Sequence, residues 1–259
     1  MTLKQGREKI MKLEFVPLLK MQRELYDMPR GIERFRAYLA TMIDPETRDL
    51  KLPLSGMNPM GKDHIPVLLD QYLAMDADLI ASRAVADAAS SLAGVPGEFK
   101  VALVLSDDAI GGWTNRYTSE FSRRFSTKAY HRRGWLEVGL WTSEVPAAET
   151  VRRQVLATIY RAAHIERRGF ARTLRDMLAQ EGFAMAMAGF SEPVLDRDDL
   201  DYTREVIAPY LDTKDYPTII SCLFGDEAAR SLGYAPLGLR ARAGLALALH
   251  DGQLERRFA

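Results

Sequence analysis

Strand signal in this chain is confined to a few short stretches, and that confinement limits the folds open to it. Residues 100–105 are short and branched, with Val101, Leu103, Val104 and Leu105 in near succession. Residues 134–141 alternate, placing Leu136, Val138 and Leu140 on one face and Trp135, Glu137, Gly139 and Trp141 on the other. Between them, Asp107 and Asp108 open a turn-like segment that ends at Gly111-Gly112. Residues 113–121 follow, strand-favouring with polar groups interleaved, and then the basic run of Arg123, Arg124, Lys128, His131, Arg132 and Arg133, which reads as a solvated loop. Nearly everything else repeats at helical spacing. The fold class expected is therefore α+β, predominantly helical with a small sheet.

The helical remainder has clear punctuation. Residues 4–44 read as two helices broken at Pro29-Arg30-Gly31, the first with Ile10, Leu13, Phe15, Leu18, Leu19 and Met21 as an imperfect stripe. Prolines and glycines mark an irregular connection over residues 44–62, whose apolar content predicts a loop packed on the body. Asp63 is placed to cap a helix with Pro66 in its first turn, and His64 at its entrance reads as a capping or exposed residue. Apolar and small residues then run to Leu92, as one long helix or two abutting near Asp76. Ser143 or Thr142 is expected to cap a helix carrying Pro146 and Glu149 in its first turn. Gly169 ends that helix, and residues 173–187 form the next. A helix around Tyr202, a short apolar run over residues 216–224 and a last helix opening at Gly233-Tyr234-Ala235-Pro236 complete the chain. No linker separates these parts, so residues 1–259 are expected as a single domain, with N-terminal helices and a loop over 1–62 and a body over 63–259.

Lysines and arginines balance aspartates and glutamates at 35 each, so no global charge favours nucleic acid or a membrane surface. No apolar run approaches the roughly 20 residues of a membrane helix. The single cysteine, Cys222, excludes an internal disulfide and fits a reducing compartment, and its apolar neighbours predict a buried inert thiol. With no apolar leader at its start, the chain is expected to be cytoplasmic. Serine-hydrolase, phosphate-loop and dinucleotide signatures are lacking.

The most informative stretch is Tyr160-Arg161-Ala162-Ala163-His164, followed after a glycine break by Glu181-Gly182-Phe183-Ala184. In an HExxH helix two histidines four apart chelate one zinc, and the glutamate between them activates the bound water. The pair of segments resembles the gluzincin branch of the zincin-fold metallopeptidases. His164 falls where the second histidine belongs, and Glu181, seventeen positions on, falls in a peptide like that of the third ligand. The preceding stretch ending in Trp141-Thr142-Ser143-Glu144 resembles the edge strand beside the zinc helix. The resemblance covers roughly residues 100–250, and it implies a zincin-like helix pair following an edge strand.

The motif is not intact, and the departures decide its chemistry. Tyr160 stands in place of the first histidine, and a phenol with a pKa of about 10 is a poor zinc ligand. Arg161 stands in place of the catalytic glutamate, and a guanidinium cannot act as general base. His164 and Glu181 alone would give a metal two protein ligands, below the three of catalytic zinc sites, so they are at most remnant ligands and no cofactor is expected, zinc included. Tyr160, His164 and Glu181 are instead expected to hydrogen-bond together, with Arg161 or Arg152 offsetting a carboxylate that lies on the apolar stripe of Leu174, Leu178 and Met185.

Asn115 and Arg116 lie in a second cluster, Trp113-Thr114-Asn115-Arg116-Tyr117, suited to a planar or anionic ligand. Asp107 and Asp108 read as turn formers before they read as ligands of a divalent cation. The function expected is that of a catalytically degenerate zincin-like protein that binds a small molecule or peptide in the former cleft, through Tyr160, Arg161, His164, Glu181, Asn115 and Arg116. Two alternatives stand beside it. One is a metal-dependent hydrolase drawing on Asp107, Asp108, His131, His164 or Glu181. The other is a helical interaction module.

Overall fold

A computed structural model describes residues 10–109 and 115–258. In chain order the elements are β1 (Lys12–Phe15), α1 (Leu19–Leu25), α2 (Ile32–Met42), α3 (His64–Ala74), α4 (Ala77–Ser91), β2 (Glu98–Ser106), α5 (Arg116–Phe125), α6 (Lys128–Arg132) and β3 (Trp135–Trp141). There follow α7 (Ala148–Arg168), α8 (Leu174–Ala188), α9 (Arg197–Ile207), α10 (Tyr216–Phe224), α11 (Asp226–Ser231) and α12 (Ala243–Phe258). The fold is α+β, predominantly helical, with a three-stranded sheet. The described residues gather into two compact units, one within Met1–Thr114 and Lys128–Val155, the other within Asn115–Thr127 and Leu156–Ala259, the division falling inside α7. None of the described helices is long and apolar enough to cross a membrane.

The first unit is built on the sheet, in the order β1-β2-β3 with both pairings parallel. Central β2 is apolar on both faces, with Val101, Ala102, Leu103 and Val104 all wholly buried, as a covered parallel strand requires. Ser106 and Trp141 are register partners, so the two residues after each strand, Asp107-Asp108 and Thr142-Ser143, emerge side by side.

Strand β1 replaces part of an expected helix. Residues 12–15 alternate Lys-Leu-Glu-Phe at period two, and β2 offers them an unpaired backbone edge. Where β1 stops, the buried amide of Gln22 on α1 continues the ladder: its Nε2 donates to the Leu103 carbonyl at 2.8 Å and its Oε1 accepts from the Leu105 N–H at 3.0 Å. The stretch before Leu92 is two helices, divided at Asp76, whose backbone is left-handed at φ 54°. The loop over residues 44–62 packs as expected, with Leu54 and Met57 buried and the Tyr26 hydroxyl donating to the Asn58 carbonyl at 2.6 Å.

In the second unit Leu174, Ile220, Leu223, Phe224 and Leu245 form the core, joined by Phe121 of α5. Helix α5 overturns the strand expected over residues 113–121, of which residues 113 and 114, with Gly111-Gly112, lie outside the described residues. Strand propensity lost to helical spacing. Tyr117, Phe121 and Phe125 recur at four-residue intervals, the Phe121 ring meeting Phe125 at 5.1 Å and Tyr216 at 4.9 Å. The basic run expected as a loop is the end of α5 together with α6.

Helix α8 opens with a capping box between Thr173 and Asp176. It crosses α12 so closely that a Cβ on Gly182 would meet the Ala248 carbonyl, and one on Gly252 the Gly182 backbone. The last helix begins at Ala243 rather than Gly233. The Asp226 carboxylate takes the N–H groups of Leu237, Gly238 and Leu239 at 2.9–3.0 Å and holds that segment in a turn.

Candidate functional site

The helix pair singled out in the sequence is α7 and α8, and its polar centre is Glu181. That carboxylate is wholly buried. Arg161 grips it with both ends of its guanidinium, Nε to Oε1 at 2.6 Å and Nη2 to Oε2 at 3.0 Å. Arg124 of α5 binds Oε2 through Nη1, and Gln180 donates to Oε1 at 3.3 Å. Arg124 then turns its Nη2 to Glu120 Oε1 at 2.6 Å. Glu120 receives Arg242 in a second two-pronged contact, at 2.8 Å on each oxygen, and Arg116 Nε at 3.2 Å. Two carboxylates and four guanidiniums thus form one chain across α5, α7, α8 and the residue before α12.

Helical spacing explains most of this. Arg116, Glu120 and Arg124 are four residues apart and line one face of α5, opposite-charge neighbours by geometry. Asn115 caps that helix, its Oδ1 accepting from the N–H groups of Tyr117 at 3.0 Å and Thr118 at 3.2 Å. Arg242 holds a left-handed backbone at φ 58° just before α12.

The electrostatics follow from burial and charge. Burial alone would raise the Glu181 carboxyl, but the Arg161 and Arg124 charges outweigh it and hold the group down to about 2. Glu120 is likewise held well below the usual carboxylate range, burial being outweighed first by Arg124 and then by Arg242. Burial works against the Arg124 proton, and Glu181 and Glu120 more than restore it.

Tyr160 and His164, one turn apart on α7, lie about the ring of Phe183, with centroid separations of 6.3 and 5.6 Å. His164 is half-buried, and burial first, then the Arg168 charge, lowers its pKa against the pull of Glu181. The bonds expected from Tyr160 and His164 to Glu181 give way to those from Arg161, Arg124 and Gln180, while Arg152 lies exposed. A zinc ion does not fit this arrangement. Its carboxylate ligand would have to exchange two guanidinium partners for the metal, and a second cation would sit beside them. Among the described residues no group of three or more His, Cys, Asp or Glu side chains is placed to hold a metal.

The first unit holds a second polar cluster, at the carboxyl ends of β2 and β3. Asp107 is 2% exposed. Its Oδ1 takes His64 Nε2 at 2.9 Å and Thr142 Oγ1 at 3.1 Å, and its Oδ2 takes Asn58 Nδ2 at 2.9 Å. Asp108 takes the Ser143 N–H at 2.9 Å and the Ser143 hydroxyl at 2.7 Å. Burial would raise the Asp107 carboxyl, and the bonds from His64, Asn58 and Thr142 bring it below the ordinary value. His64, expected as a capping or exposed residue, is thus a partner of Asp107, and Thr142 and Ser143, expected as helix caps, serve these aspartates instead. His131 packs on the Phe99 ring at 4.5 Å. Cys222 is buried, its thiol pushed up to about 12 by desolvation, as an inert cysteine should be.

Sequence reasoning named Arg161, Glu181, Asn115 and Arg116 but missed Glu120, Arg124 and Arg242, although the four-residue spacing on α5 announces the first two. It named Asp107 and missed Asn58, which only the fold brings near.

No family model and no solved structure matches the chain. It is 35% identical over 80 residues to the uncharacterized protein YjfC of Bacillus subtilis (strain 168), an alignment that covers 31% of this chain and 27% of that protein. The chain therefore spans about a quarter of that relative's length.

Proposed function

We propose that the chain is a zincin-like protein whose helix pair no longer hydrolyses peptides and whose arginine cluster binds a small molecule or peptide through an anionic group. The observation that carries this reading is the closure of Glu181 by Arg161 and Arg124. The residue in place of the catalytic glutamate neutralises the residue in place of the third zinc ligand. Guanidiniums are the side chains that recognise a carboxylate or phosphate ligand with paired donors. Arg116 and Arg242 are the partly exposed members, with side chains 20% and 30% accessible, and Asn115 lies exposed beside them.

Two measurements test it. Elemental analysis of the purified protein and of His164→Ala should find no stoichiometric zinc in either; about one zinc per chain, lost in the variant, overturns the reading. Thermal-shift titration with citrate and with a short peptide bearing a free carboxylate should raise the melting temperature. The rise should shrink in Arg116→Gln, and no rise with either probe removes the anionic-ligand assignment.

A further inference from the structure

The first unit carries a pair of groups that this reading does not use. Asp107 stands at the end of the central strand of the parallel sheet. It receives donors from three separate segments: Asn58 in the loop, His64 at the start of α3 and Thr142 after β3. Such convergence fixes the carboxylate, and the carboxylate fixes the imidazole. With Nε2–H donated to Asp107 Oδ1, the neutral ring of His64 presents its other nitrogen, Nδ1, as a lone pair. Nδ1 is buried and has no hydrogen-bond partner among the described residues, although the side chain as a whole is 17% exposed. A buried acceptor left unmet costs about 1–3 kcal/mol, and native structures seldom carry one without a use.

We propose that the His64–Asp107 pair is the accepting half of a ligand site at the carboxyl ends of β2 and β3, and that His64 Nδ1 takes a hydrogen bond from the hydroxyl group of a small alcohol-bearing molecule. A hydroxyl suits a neutral imidazole lone pair, because it donates one proton and brings no charge into a buried position. The same geometry can move that proton: the O–H bond breaks with its electron pair left on oxygen, an N–H bond forms at Nδ1, and Asp107 faces the resulting imidazolium. Asp107 is then a positioning residue, acting through His64. The Tyr26 phenol, near enough to feel the Asp107 charge, donates to the Asn58 carbonyl. Asp108 is held by Ser143, and Arg34 is engaged with the Met28 and Gly61 carbonyls.

The test is a long-range proton–nitrogen correlation on the nitrogen-15-labelled full chain, which has four histidines to resolve, with His64→Gln assigning the signal. At pH 7.5 His64 should show the Nε2–H tautomer, and glycerol should shift its Nδ1 resonance saturably while those of His131, His164 and His250 stay in place. Asp107→Asn should lose both the tautomer preference and the saturable shift. A proton found on Nδ1 in the wild type overturns the proposal without recourse to any variant. So does a flat glycerol titration, or a response to methylammonium in its place.

Discussion

The two polar clusters keep buried carboxylates ionised by opposite means. In the second unit Glu181 and Glu120 are met by guanidiniums, which stay charged at every pH the fold survives. In the first, Asp107 is met by an amide, a hydroxyl and one imidazole. Charge closes the first kind of arrangement, because each ion would be stranded without its partner. Neutral donors leave the second kind open, since they can be exchanged for a ligand's own groups at little cost. A single chain thus holds one cluster suited to fastening helices together and another suited to exchange.

The largest expected effect breaks a guanidinium contact. Arg161→Met leaves Glu181 buried and short of its two-pronged partner, and should destabilise the protein by about 3–5 kcal/mol. The paired change Arg161→Met with Glu181→Leu should recover much of that. Asp107→Asn, which keeps shape and turns one oxygen into a donor facing the Asn58 amide, should cost only about 1–3 kcal/mol. Urea midpoints of the four proteins decide it, and equal costs at Arg161 and Asp107 would erase the distinction between the clusters.

Acid comes next. The Glu181 carboxyl titrates near 4.5 in an unfolded chain and is held to about 2 when folded, so its stabilisation is complete above pH 4.5 and is lost as pH falls from there towards 2. That shift corresponds to about 3 kcal/mol. Stability measured between pH 5 and pH 3 should fall steeply in the wild type and less steeply in Glu181→Gln. A smaller change asks how far the arginine cluster depends on helix packing. Gly182→Ala would press its new Cβ on the Ala248 carbonyl, costing about 1–3 kcal/mol and displacing Glu181 beside it. The His64 tautomer in the other unit should not change.

How much of this was legible beforehand follows from what is local. The α+β class, β2 and β3 rest on periodicity, and they stood in the sequence. Strand β1 did not, because four residues become a strand only when β2 supplies an edge. Helix α5 was hidden by β-branched and aromatic residues whose four-residue recurrence was the better guide. Arg161 could be matched to Glu181 because a carboxylate on an apolar stripe demands a cation. Arg242 could not, since 122 positions separate it from Glu120. The Asp107 cluster was half visible for the same reason: Asp107-Asp108 is a motif, whereas Asn58 and His64 reach it only through the packed loop and the start of α3.

The smallest expected effect lies at His164, and it separates a packing histidine from a ligand. Burial first, then the Arg168 charge, lowers its folded pKa below the ordinary 6.5. The unfolded chain therefore binds its proton first on acidification, so this residue withdraws stability as pH falls through 6.5 and has withdrawn all it can once its folded pKa is passed. His164→Phe should change stability by less than about 1 kcal/mol at pH 7.5, keep the contact with Phe183, and flatten the slope just below pH 6.5. That window opens at pH 6.5, above the 4.5 at which Glu181 begins to titrate, so its upper part is read independently of Glu181. A variant that instead steepened the slope would mean that the folded protein holds the His164 proton more tightly than the unfolded chain does. The contact with Glu181 would then prevail over burial, and the arginine cluster would extend along α7 to His164.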